Sequence, residues 1–515
     1  MNSPPGQAAD ASLEGRSRLL RDASGYMTAV YVSQLLAFGV SFATKGLLGP
    51  VDLGTWSLLL AVLSSLGLLD LGVVQAANKE IAYAQSKGDA KGAEEIKRVQ
   101  YSFVVLTALI GSLGVSIYAA CLPGESSDSF TFGVLCIALV LPISQIHTGQ
   151  VSVYWAHSKF SATGLLIVFE AALAGTLGLY LVWAYGLVGQ IAAYALILLV
   201  KVAILSRQAG GEARLTVAFS WDGPTVKRLL RIGLPLQVIN LANVFKISGT
   251  VFLISFFFDT RAVGFFALAL SFQNFIYWTP TAFSVVMFPR FQARYGGSED
   301  QVAALHPYLI QPLYGLGFLL LPILVSATFF MAPPLIDHAL PAYAPAIPLV
   351  IAMLPGTFFM SMEHMPGQLL ITANRLWLRV WVAVLNVTLV AVCVAAAAAL
   401  KSSLVGFALA LSISSALAFL VLYLYASHVA ELPPASRGLA AKLTWAFTYV
   451  MAVMFAIDHV LPSSHGTWAG DLAAGFGMWT MSLVLMAPLF LVAERQLGLV
   501  AAIRDLLSPV LRSRR

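Results

Sequence analysis

Runs of apolar residues recur along the chain from Tyr26 to Ala493, separated only by short polar intervals. A hydrocarbon core about 30 Å thick is crossed by about twenty residues of α-helix, so each run has the length of one span. Fourteen of them begin near Tyr26, Gly54, Val99, Phe130, Ser161, Tyr185, Ile232, Val263, Pro307, Ala346, Leu376, Leu404, Ala441 and Trp468. The pattern predicts an all-α polytopic membrane protein of about 14 transmembrane helices. Pro235, Pro280, Pro322 and Pro355 fall within runs, and kinks are expected there, with neighbouring helices re-satisfying the freed backbone groups.

Composition agrees with lipid as the solvent. Of 515 residues 59% are hydrophobic and 10% charged, whereas soluble domains carry about a quarter charged residues. The charges also orient the chain, because Lys and Arg collect in cytoplasmic loops. With the N-terminus inside, 26 of the 30 Lys and Arg fall on the cytoplasmic side; Lys45, Arg261 and Lys401 fall outside and Lys246 within a helix. Both termini are therefore expected in the cytoplasm, and the net charge of +6 follows. Such basic loops serve orientation and contact with anionic membrane lipids, not nucleic acid. Arg16, Arg18 and Arg21 precede a first run of full length with no small-residue cleavage site, which reads as a retained helix. Cys121, Cys136 and Cys393 lie in or beside apolar runs and predict neither a disulfide nor a metal site. From Arg495 to Arg515, Leu499, Ile503, Leu506, Leu507 and Val510 recur at helical spacing, as in an interfacial anchor.

Two stretches echo one another about 210 residues apart. Leu53-Gly54-Thr55-Trp56 to Ala61 matches Val263-Gly264-Phe265-Phe266 to Leu270, and the loop Tyr83 to Asp89 matches Phe291 to Asp300 in type. Six spans return the chain to its starting side, so the copies would be parallel, related by an axis along the membrane normal, with a cavity near the midplane. The expected organisation is a cytoplasmic segment 1–25, six-helix bundles 26–218 and 219–428, two additional helices 429–494, and a basic interfacial tail 495–515.

These residues give the chain a resemblance. Leu47-Leu48-Gly49-Pro50 with Gly54, Leu69-Asp70-Leu71-Gly72, Leu229-Leu230-Arg231-Ile232-Gly233-Leu234-Pro235, Val263-Gly264-Phe265-Phe266-Ala267 and Phe288-Pro289 stand in the order and spacing of a known family. Weaker echoes follow at Tyr343-Ala344-Pro345-Ala346 and Val405-Gly406. The chain resembles the polysaccharide biosynthesis and oligosaccharide-lipid flippase branch of the multidrug, oligosaccharidyl-lipid and polysaccharide (MOP) exporter superfamily. The resemblance implies two six-helix bundles, alternating access in the bacterial inner membrane, and a substrate of sugars on a polyprenyl diphosphate, as in O-antigen (lipopolysaccharide) and exopolysaccharide flippases. Polysaccharide polymerase and glycosyltransferases of the same pathway would be its partners. Many relatives place an acidic residue with an arginine near the position of Thr250; here the nearest charge is Lys246, so a coupling role at that position does not carry over.

An ionisable side chain at mid-bilayer costs about 2.5 to 3.5 kcal/mol on insertion scales, and such residues mark sites or pairs. Gln237, Asn240, Asn243 and Lys246 recur at three-residue steps on the seventh span, a polar stripe expected to meet diphosphate or sugar hydroxyls. Gln273 and Asn274, near Tyr277, are further candidates for sugar contacts, or polar glue between helices. Glu170, Glu363 with His364, and the shallower Asp70 are candidates for H+ or Na+ coupling, since a buried carboxyl exchanges a proton as its surroundings change. The alternative for Glu170 is a structural pair with Lys246. His147, near Gln145 and Gln150, reads as an interfacial hydrogen-bonder.

Enzymatic readings find little support. There is no Gly-Lys pair for an ATP-binding loop, no His-Glu-x-x-His, no Gly-x-Ser-x-Gly, and no loop long enough for a catalytic domain. No cofactor is expected beyond a coupling ion. A membrane-embedded polymerase or glycosyltransferase, a peptidoglycan-precursor flippase and a multidrug exporter of the same superfamily are the competing functions. The last two spans either form a groove for a polyprenyl tail or pack against the second half.

Overall fold

The computed structural model describes residues 5–121, 128–157, 159–208, 218–296, 305–433, 438–461 and 466–498. Among these residues every regular element is a helix. Part of the Phe291 to Asp300 echo and the tail beyond Gly498 lie outside the described residues. Among the described residues eleven helices are long and apolar enough to span, with one further bent pair. Two of the eleven are double: Tyr31–Asp70 has 40 residues and Ala162–Arg207 has 46. At 1.5 Å per residue each is about 60 Å or more, twice the bilayer core.

A glycine breaks each double segment. In α1 (Pro5–Leu66) Gly49 adopts φ 73°, ψ 171° ahead of Pro50. A side chain resists positive φ and the residue before proline avoids the helical region, so Gly-Pro ends one span and starts the next. In α6 (Leu179–Gln208) Gly186 at φ 56°, ψ −132° does the same. Counting both halves and the pair bent by 52°, the described helices correspond to the fourteen apolar runs.

The remaining helices are α2 (Val73–Ser86), α3 (Ala90–Cys121), α4 (Asp128–Ala156), α5 (Phe160–Leu173), α7 (Gly223–Val244), α8 (Thr250–Phe257), α9 (Thr260–Gly296), α10 (His306–Gly315), α11 (Leu321–Ala339), α12 (Ile347–Met362), α13 (His364–Thr372), α14 (Leu376–Ala399), α15 (Leu404–Val429), α16 (Leu439–Val460), α17 (Trp468–Leu485) and α18 (Ala487–Leu497). They form two compact units, Met1–Ala267 and Leu268–Arg515.

In the first unit polar clips join the helices, the cohesion expected where lipid is as apolar as the side chains it replaces. Most radiate from α4. Gln145 Nε2 donates to Gly67 O at 3.0 Å, Ser152 Oγ to Val74 O at 2.9 Å, Tyr154 Oη to Leu205 O at 2.9 Å and Gln150 Nε2 to Ser206 Oγ at 2.7 Å. Asp222 starts α7: its Oδ2 accepts from Thr225 N at 2.8 Å, with proline in the first turn. The Thr225 hydroxyl, together with this backbone bond, holds the Asp222 carboxyl below its ordinary range.

Backbones also meet at glycines. A Cβ on Gly54 would lie 2.0 Å from Thr260 O, and one on Gly264 would lie 1.8 Å from Pro50 O. The two echoed motifs thus pack reciprocally, each glycine receiving the other's turn, which is the contact a local two-fold generates. Gly72 and Gly233 form a second such crossing, with a Cβ on either 2.3 or 2.5 Å from the other's carbonyl oxygen.

The second unit is built on an aromatic and aliphatic core in which Phe318, Phe358, Phe419, Tyr423, Leu443, Met454 and Leu489 are buried. The last spans are part of it. Phe447 of α16 packs on Phe358 and Phe359 at 5.0 and 5.2 Å between ring centroids, and Trp479 Nε1 of α17 donates to Ile323 O at 3.3 Å. Of the two roles open to these helices, packing against the second half is therefore observed.

Gly264→Ala is expected to lower the melting temperature of the detergent-solubilised protein, an overpacking cost of about 1–3 kcal/mol. Gly477→Ala, which meets nothing within 4 Å, should leave it unchanged or slightly raised. Equal melting of the two variants would refute the tight crossing.

Candidate functional site

Polar and charged groups inside the spans gather in each unit separately. In the first unit Gln237 is buried on α7 and its Nε2 donates to Leu68 O at 2.8 Å and Asp70 Oδ1 at 2.9 Å. The same Oδ1 accepts from Gly72 N at 3.1 Å, and Asn240 Nδ2 donates to Gln237 Oε1 at 3.3 Å. Asp70, Gln237 and Asn240 thus form one hydrogen-bonded chain. It closes the left-handed turn at Leu71 (φ 51°) and Gly72 (φ 78°) where α1 gives way to α2. These bonds account for the burial of Asp70 through a structural role.

The stripe winds around the helix. Each three-residue step falls about 60° short of a full turn, so Lys246 stands about half a turn from Gln237. Accordingly Gln237 is buried, Asn243 exposed and Lys246 half-buried. Lys246 sits in a π-helical turn, Phe245–Gly249, between α7 and α8. Thr250 Oγ1 donates to the carbonyls of Lys246 at 3.0 Å and Ile247 at 2.7 Å, satisfying groups that the wide turn frees. Such single π turns concentrate at functional positions.

Glu170, near the end of α5, lies four residues before another π turn, Ala174–Gly178. Its Oε2 is 2.8 Å from Lys201 Nζ of α6, with the lysine side chain 13% exposed and the glutamate 39%. Lys201 was not singled out by the sequence pattern; near the basic end of its span it read as an orientation charge. His147 feels the Lys201 charge, and its buried Nε2 has no hydrogen-bond partner among the described residues. Lys45, expected in an outer loop, is instead buried within α1, where its ammonium turns back to Ser41 four residues earlier. The Gly49 break comes later than the apolar pattern suggests.

In the second unit the tenth apolar run breaks between α12 and α13, and Glu363 is the residue at the break. His364 Nε2 is 2.8 Å from Thr281 Oγ1 on α9, and its ring lies tilted by 40° against Tyr277, 4.9 Å between centroids. Thr281 commits its hydroxyl hydrogen to Tyr277 O at 2.9 Å. It therefore accepts from His364, and this network assigns the imidazole proton to Nε2. Arg379 of α14 completes the group, within electrostatic range of both Glu363 and Tyr277. Its Nε would lie 3.2 Å from a Cβ on Gly367, so the guanidinium rests on the bare backbone of α13. Gln273 and Asn274 are half-buried; Gln273, Tyr277 and Thr281 share one face of α9 at four-residue spacing. Arg379, Thr281 and Gly367 escaped sequence reading because their association spans about a hundred residues of chain.

A sequence-family profile described as "Polysaccharide biosynthesis protein" matches residues 46–342. No curated protein matches. Among solved structures, the chain is similar to an inward-facing multidrug resistance MATE family transporter of the MOP superfamily (TM-score 0.64, 16% identity, 79% of this chain and 98% of that one). It is similar also to an outward-facing structure of such a transporter (0.56, 15%, 80% and 96%) and to a Vibrio cholerae MATE transporter (0.60, 13%, 81% and 97%). At these identities the likeness is one of fold. With more than half its length matched by the family profile, the chain belongs to the polysaccharide biosynthesis protein family, and its fold is similar to that of the MATE transporters.

Proposed function

We propose that this protein carries a polyprenyl-diphosphate-linked oligosaccharide, an O-antigen or exopolysaccharide repeat unit, from the inner to the outer leaflet of the bacterial inner membrane by alternating access. The reading is carried by one observation: a chain of the polysaccharide biosynthesis family keeps fixed cations, Lys246 and Arg379, within apolar spanning helices. Cations inside a span are tolerated where they face protein or water, and a diphosphate is the anionic part of this substrate. Neutral hydrogen-bonding groups beside them, Asn240, Asn243, Gln273 and Asn274, suit sugar hydroxyls. The distribution of Lys and Arg supports cytoplasmic termini.

The protein acts without bond-making chemistry of its own. Its work is transfer, coupled to H+ or Na+ through Glu170 or Glu363 and supplied by glycosyltransferases that build the substrate and a polymerase that consumes it. A multidrug function, the one its structural neighbours carry, has the fold alone behind it.

A strain lacking the protein should accumulate undecaprenyl-linked repeat units on the inner leaflet. Restoration by Lys246→Ala at unchanged expression should fall about tenfold, the worth of one charge-assisted contact; full restoration would remove Lys246 from substrate handling.

Glu170→Gln should uncouple transport from the ion gradient, and Glu170→Gln combined with Lys201→Gln should regain wild-type melting while staying uncoupled. Gradient-dependent transport in the double variant would leave the pair a purely structural role.

A further inference from the structure

Arg379 is the fourth residue of α14, flanked two positions to either side by Trp377 and Trp381. Those tryptophans are 67% and 68% exposed. Exposed tryptophan at a span end sits at headgroup depth. Two residues of helix turn the chain by about 200°, so Arg379 points away from them, into the second unit. The polar group around it lies at that same end of the membrane-spanning region. Glu363 to Thr372 form the last stretch of Pro341–Thr372, and only residues 373–375 separate that segment from Leu376–Ala399. A guanidinium is thus held inside protein at the depth where lipid phosphates lie.

Glu363 lies within electrostatic range of this arginine and does not use it up. A guanidinium offers five donors in a planar fork, and one carboxylate takes at most two of them. The remaining edge matches a phosphate in bidentate geometry, which an ammonium does not. Gly367 beneath it is equally specific, since a Cβ there would press on Nε at 3.2 Å. From this seat Tyr277 and Gln273 run along one face of α9, a hydroxyl and an amide at four-residue steps. They offer groups for the oxygens next to a bound phosphate.

We propose that Arg379, seated over Gly367 and oriented by Glu363, receives the diphosphate of the polyprenyl-linked substrate at the loading face of the second unit. Arg379 is the binding residue and Glu363 a positioning residue, in place of the ion-coupling role considered for it. The proposal rests on the flippase reading, and it fails separately from that reading. A pair that merely holds the break between α12 and α13 makes a different forecast: neutralising both partners should then restore everything.

The test uses the full chain in phosphatidylcholine nanodiscs, with undecaprenyl diphosphate binding measured by native mass spectrometry and melting measured in parallel. Wild type should bind saturably, with inorganic diphosphate competing and phosphatidylglycerol at the same concentration not competing. Arg379→Gln should weaken binding about tenfold or more and Glu363→Gln only a few-fold. Because Arg379→Gln also removes a positive charge within electrostatic range of Glu363, Glu363→Gln with Arg379→Gln is the decisive variant: it should melt like wild type yet still fail to bind. Gly367→Ala should weaken binding as well. Wild-type affinity in the stable double variant, or equal competition by phosphatidylglycerol, would overturn the site while leaving the flippase reading in place. Absence of binding by wild type itself would overturn both.

Discussion

The constraint that orders this molecule is the price of a polar group in hydrocarbon. A backbone amide there has no water to turn to, so the chain is helical wherever the spans run. Where a helix breaks, something must take the freed groups. At the end of α1 it is Asp70, which accepts from Gly72 N and Gln237 Nε2. At the π turn after α7 it is Thr250. At the break between α12 and α13 the backbone bonds to itself, Glu363 N to Met360 O and Gly367 N to Glu363 O, beside an imidazole tied to Thr281. Breaks and ionisable side chains therefore stand close together along the chain.

This coincidence links fold to transport. A continuous apolar helix offers a substrate nothing, whereas an interrupted one presents donors, acceptors and charge inside the membrane. Glu170, Lys246 and Glu363 each stand within four residues of such an interruption. The reciprocal packing of Gly54 and Gly264 places the echoed motifs against each other. The two echoed motifs thus meet in the structure as well as matching in sequence.

Much of this was legible in the chain, and what was not has a physical reason. Apolar run length fixed the number of spans, since bilayer thickness allows little choice, whereas the exact place of the first reversal, Gly49-Pro50, was not read from the apolar pattern. Isolated charges such as Glu170, Lys246 and Glu363 stood out against their apolar surroundings. Lys201 and Arg379 did not, because a cation within a turn or two of a span's basic end looks the same whether it faces water or a carboxylate on another helix. Nor did the Asp70–Gln237 bond, which joins residues 167 apart. Composition reports what a segment costs to bury, and only packing reports which neighbour offsets the cost.

The most direct measurement is transfer by the purified protein alone. Proteoliposomes loaded with an undecaprenyl-diphosphate-linked oligosaccharide on one leaflet, probed by an impermeant sugar-modifying reagent, report its appearance on the other. Transfer that needs the protein and an ion gradient, without any lengthening of the glycan, is the predicted result. Glycan elongation, or a distribution no different from protein-free vesicles under every gradient applied, would contradict it.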